Sequence, residues 1–105
     1  MNEHGLRNAV SAYLKTLGYC CFWEKRWGGG FFQKTGIADY TGIAWGIPFA
    51  IEIKHPDKPA VADLDQEIYL TRVRLAGGKT LVTNRLQAVK AFIVALRIIA
   101  EGYRL

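Results

Sequence analysis

The spacing of apolar positions changes several times along the chain, and each change marks an element. From residue 3 to 17, Leu6, Val10, Tyr13, Leu14 and Leu17 recur at intervals of three and four, which predicts an amphipathic helix closed by Gly18. "YCCFWEK" is dense in aromatic residues and predicts a strand. The three consecutive glycines of "RWGGGFFQKTG" then forbid a stable helix or strand. "IADYTGI" and "GIPFAIEIK" predict two strands joined by a turn around Gly42 to Gly46, and Pro56 and Pro59 make "HPDKPA" a loop. A second helix is expected over roughly 61–76, ended by Gly77 and Gly78, followed by the short strand "KTLVT". Asn84 then opens a third helix, with Gln87 as its capping-box partner. That helix runs through Leu86, Val89, Phe92, Ile93 and Leu96 to about Glu101. The order α-β-β-β-α-β-α predicts an α/β fold, one small domain over residues 1–105 with a mixed sheet flanked by helices.

The strand "IPFAIEIKH" is the least ordinary of these elements. Alternate residues of a strand face opposite sides, so Ile47, Phe49, Ile51 and Ile53 form one apolar row. Pro48, Ala50, Glu52 and Lys54 form the other, and a solvated polar face accounts for that row in the simplest way. A second carboxylate changes the picture. Asp39 stands thirteen residues earlier, in "TGIAD", at the start of the preceding strand. If the two strands pair, Asp39 and Glu52 come together on one face. Two close carboxylates repel, and either protonation of one or a bound cation relieves the repulsion. Hard oxygen ligands suit Mg2+ or Mn2+, and Lys54 beside such an ion can orient a water or stabilise developing negative charge. Gly36, three residues before Asp39, permits a tight turn or a close approach.

Two helical positions point the same way. At about 100° per residue, Glu3 falls within about 40° of the centre of the first helix's apolar stripe, so it is expected to face the core. Gln66 shares a face of the second helix with Leu70 and Val73 and is expected to point inward.

Charge extends this reading. The chain carries 14 basic and 9 acidic side chains, a net charge of +5, and a basic balance fits a polyanionic partner such as nucleic acid. The glycine-rich loop interleaves Lys25, Arg26 and Lys34 with Trp27, Phe31 and Phe32, a pattern suited to phosphates and stacked bases. The same aromatics would also serve a hairpin tip that covers the core. Cys20 and Cys21 are adjacent and have no metal-ligand spacing, so they are expected to be reduced strand residues. The polar N-terminus has no signal-peptide layout and no apolar run reaches 18 residues, which predicts a soluble cytoplasmic protein.

Glu3 on a first helix, "GIAD", "IEIK" and Gln66 at a helix start resemble the PD-(D/E)XK nuclease superfamily. The series is most similar to the virus-type replication–repair nuclease family, VRR-NUC. The resemblance implies that Asp39 and Glu52 are metal ligands and Lys54 the catalytic lysine. It implies that Glu3 is a further acidic site residue and that Gln66 supports the site or positions the water. Ala38 stands where the superfamily name has proline, and Arg7 and Asn8 stand where relatives often carry a glutamine. The activity implied is Mg2+- or Mn2+-dependent endonuclease cleavage of DNA, with branched substrates such as four-way junctions favoured by the family. A symmetric branched substrate favours a two-fold homodimer, for which the apolar third helix can supply the interface. Two other readings fit the same residues: a nucleic-acid-binding module without catalysis, and a small interaction protein whose polar face is merely solvated.

Overall fold

The computed structural model describes residues 1–26 and 36–103. In chain order the elements are α1 (Glu3–Lys15), a single 3-10 turn (Gly18–Cys20), β1 (Cys21–Lys25), β2 (Tyr40–Ala44), β3 (Ile47–Ile53), α2 (Leu64–Leu75), β4 (Lys79–Thr83) and α3 (Leu86–Gly102). This is the expected α/β order with the 3-10 turn added. The four strands form one mixed sheet in the order β1-β2-β3-β4. The β1–β2 and β2–β3 pairs are antiparallel, and β3–β4 is parallel with α2 as the crossover.

Several boundaries differ from the expectation, each for a local reason. The first helix stops at Lys15 rather than residue 17, because the Thr16 hydroxyl and backbone N–H both turn back onto the Tyr13 carbonyl. The β2–β3 turn is only Trp45 and Gly46, both at positive φ, which is the tight hairpin geometry. Gly42 lies within β2 instead, where a Cβ would collide with the Phe22 carbonyl of β1. The second helix begins at Leu64, behind a reciprocal capping box in which Asp63 and Gln66 satisfy each other's backbone N–H. The Asn84 cap is not formed. Arg85 occupies the cap position of α3, while the Asn84 amide donates to the carbonyls of Pro56 (3.5 Å) and Lys58 (2.8 Å) and ties down that loop.

The sheet is covered unequally. On one face α1 contributes Leu6, Val10 and Leu14, and α3 contributes Val89, Ile93, Leu96 and Ala100. These pack on Tyr40, Ala44, Ile47, Phe49, Ile51 and Ile53. Each fully buried aliphatic side chain there stabilises by about 1.5–3 kcal/mol before entropy is counted. On the other face α2 sets Leu70 against Ala38 and Ala50, with Tyr69, Val73 and Val82 at the margin. Cys21 is buried at the start of β1 and Cys20 is exposed in the 3-10 turn, both free. Among the described residues no helix is long and apolar enough to cross a membrane.

Candidate metal centre

Tyr40 of β2 lies opposite Ile51 of β3, and one more step of that antiparallel register sets Asp39 opposite Glu52. At Ala50 and Glu52 the polar row of β3 is not solvated. Asp39 and Glu52 are each 1% exposed, on the face of the sheet where α2 packs against Ala38 and Ala50. Neighbouring positions on one face of an antiparallel pair bring their side chains within reach of each other.

The two carboxyls are held differently. Asp39 Oδ2 accepts the Ile53 backbone N–H at 2.7 Å. Asp39 Oδ1 has no aligned hydrogen bond but faces two guanidiniums, Arg7 in an ion pair and Arg26 at 3.4 Å. Burial alone would raise the Asp39 pKa. The adjoining Glu52 carboxyl, the Arg7 guanidinium and the Ile53 N–H together outweigh burial and hold it below the usual carboxylate value. Glu52 goes the other way: burial first, then the adjoining Asp39 carboxylate, push it up to about 8, against the pull of Lys54 and Arg26. Opposite shifts of this kind mark a pair that shares one proton at neutral pH. Glu52 Oε2 has no hydrogen-bond partner among the described residues.

Lys54 follows β3 directly, and its backbone N–H donates to Thr83 of β4 at 2.8 Å. Its ammonium donates to Gln66 Oε1 at 2.5 Å. That same oxygen accepts the Asp63 N–H at 3.0 Å, so the capping box of α2 also orients the lysine. Gln66 points inward, as its helical face predicted. Gly36 (φ +83°) makes a close approach to α2: a Cβ would lie 2.7 Å from the Asp65 carbonyl oxygen.

Glu3 departs from the expectation. Its side chain is 42% exposed and bonded to Arg7 at 3.2 Å, one helical turn away, because Arg7 occupies the space between it and Asp39. Among the described residues no three or more His, Cys, Asp or Glu side chains gather around a common point. A pair of carboxylates is nevertheless a usual protein contribution to Mg2+, which keeps several waters and takes substrate phosphates as further ligands. The unpartnered Glu52 oxygen beside ionised Asp39 fits such an ion.

The nucleic-acid expectation divides. Arg26 is engaged at the site, donating to the Ile37 carbonyl at 2.9 Å as well as facing Asp39. Trp27, Phe31, Phe32 and Lys34 lie outside the described residues. Lys25 lines an open groove of about 650 Å³ with Asn8, Ser11, Lys15, Trp23 and Glu24. Arg7 and Tyr40 are the site residues that periodicity did not single out. The Tyr40 hydroxyl donates to the Arg7 carbonyl at 2.7 Å and meets Ser11 Oγ at 2.7 Å, which anchors α1 over the hairpin. A basic residue four positions after an acidic one was the available signal for Arg7. No protein-family model, curated protein or solved structure matches the chain.

Proposed function

We propose that the protein is a metal-dependent endonuclease that hydrolyses phosphodiester bonds in DNA, in the manner of the VRR-NUC branch of the PD-(D/E)XK nucleases. The observation that carries this reading is the buried, register-matched Asp39–Glu52 pair with an unpartnered oxygen and an oriented lysine beside it. Burying two carboxyls together costs stability, and a site that tolerates the cost is a candidate for function. Asp39 and Glu52 would hold Mg2+ or Mn2+. The ion, when bound, polarises the scissile phosphate and lowers the pKa of an attacking water.

The chain's own groups do the remainder. Gln66 fixes the Lys54 ammonium, which stabilises the negative charge that builds on the phosphate oxygens. The Lys15, Trp23 and Lys25 side of the groove receives the sugar–phosphate backbone. Branched DNA is the substrate class proposed, and its symmetry calls for a homodimer across α3, where Val94 and Ile98 are exposed one turn apart. A cytoplasmic location goes with DNA as substrate.

The test is cleavage of end-labelled duplex, flap and four-way-junction DNA with Mg2+, Mn2+ or chelator. Metal-dependent cutting of the junction is expected. Salt-dependent binding of DNA with no cutting under either metal would make the protein a binding module instead.

A further inference from the structure

The Arg7 guanidinium is surrounded by oxygen. It pairs with Asp39 Oδ1, and its Nη2 meets Glu3 Oε1 at 3.2 Å and the Ile53 carbonyl at 3.4 Å. The contact that matters for a divalent ion is the one to Asp39, a hard carboxylate oxygen of the kind such an ion takes. Asp39 Oδ2 already accepts the Ile53 N–H, so Oδ1, whose close neighbours are guanidiniums, is the oxygen most open to an incoming cation. The Arg7 backbone is pinned by Tyr40, so only its side chain can yield. An arginine guanidinium is charged at every pH at which the protein is folded, so its positive charge is permanent.

We infer that Arg7 is the resident cation of the metal centre and competes with the divalent ion for Asp39. This rests on the reading of Asp39 and Glu52 as metal ligands. Arg7 neutralises Asp39 before metal arrives, and entry of the ion requires the guanidinium to leave Oδ1. Two positive charges cannot share that oxygen without strong repulsion in so dry a site. Glu3 then has a role other than ligand: it anchors the competitor, and the metal does not bind to it.

Mn2+ titration of the protein without DNA tests this by calorimetry, comparing wild type with Arg7→Gln, Glu3→Gln and Asp39→Asn. Wild type should bind Mn2+ and Asp39→Asn should not. Arg7→Gln should bind at least about tenfold tighter, the worth of one close ion pair that no longer has to be broken. It should also melt lower than wild type without metal and show the larger rise in Tm on adding Mn2+. Glu3→Gln lies at the exposed start of α1 and keeps the inference testable if Arg7→Gln does not fold. Its affinity should be equal to that of wild type or tighter.

Equal or weaker binding by Arg7→Gln overturns the competition and leaves the metal reading standing. Weaker binding by Glu3→Gln overturns it too, by making Glu3 a ligand. If wild type and Arg7→Gln both fail to bind Mn2+, the metal centre falls with the inference. The wild-type titration therefore separates the two failures.

Discussion

On one side of β3, Ile47, Phe49, Ile51 and Ile53 are packed by two helices into the main apolar cluster; on the other, Ala50 and Glu52 lie under one helix beside a cluster of only Ala38, Ala50 and Leu70. Ala50 and Glu52 are as dry as the first row, although Pro48 of the same face is exposed. The first row removes apolar surface and is the main source of stability. The second row buries a carboxyl pair that cannot ionise together without opposing folding. A strand can hold such a pair in the dry interior because its opposite face is so well packed. The difference separates what keeps the protein folded from what gives it chemistry.

The sharpest way to break this comparison is to exchange one residue from each row. Glu52→Gln should abolish cleavage while apo stability at pH 8 holds or rises, because an isosteric amide needs no proton and repels nothing. Ile51→Ala, its neighbour on the other face, should lose about 2–5 kcal/mol in denaturant melts and leave the single-turnover rate of the folded fraction unchanged. Asp39→Asn should differ from Glu52→Gln by lowering the melting temperature, since it leaves Arg7 and Arg26 facing an uncharged amide. Cleavage that survives in Glu52→Gln would end the division of labour between the rows.

Lys54→Met comes next. Removing a charge that acts in the transition state should slow single-turnover cleavage by about 10²–10³ with substrate affinity nearly intact. Gln66→Leu should shift the rate in the same direction by less, since the ammonium loses its orientation but stays in place. A normal rate in Lys54→Met would make that side chain an ordinary phosphate-binding group.

A pH series sharpens the contrast further. The Glu52 pKa is raised from 4.5 to about 8, so the folded state holds a proton that the unfolded chain releases. Its contribution to stability is complete below pH 4.5 and is lost as pH rises through about 8. Each unit of displacement corresponds to about 1.4 kcal/mol. Asp39, with a lowered pKa, contributes with the opposite sign, present above the usual carboxylate value and lost as pH falls through the lowered one. Thermal melts of the metal-free protein should therefore decline between pH 5 and 8, and the decline should vanish in Glu52→Gln. An identical slope in the variant would mean that Glu52 is not the proton holder.

The smallest effect belongs to the groove. Replacing Lys15 and Lys25 together with Gln should reduce the slope of log K for DNA against log salt by about 2, one for each phosphate that is no longer neutralised. An unchanged slope would move the backbone track elsewhere on the surface.

Much of the framework was legible in order and spacing. The alternation in β3 and the repeat through Val89, Ile93 and Leu96 follow from local geometry, because burying a stripe requires a fixed period. The pairing of Asp39 with Glu52 was also accessible, since a short connection between two strands leaves few registers. The true turn at Trp45 and Gly46 was obscured by Gly42, whose requirement comes from a neighbouring strand rather than from a turn. Asn84 looked like a cap because capping and loop-bracing use the same amide, and only the nearby Lys58 carbonyl decides between them.

The carboxylates, the lysine and the elements that carry them are thus properties of local sequence. Which charge answers which is a property of the packed molecule. Arg7 reaches Ile53 across 46 positions of chain, and Gln66 serves both its own helix and Lys54. Side-chain partners of that kind are set by distance and dielectric after the sheet and helices have closed around them, and periodicity carries no record of them.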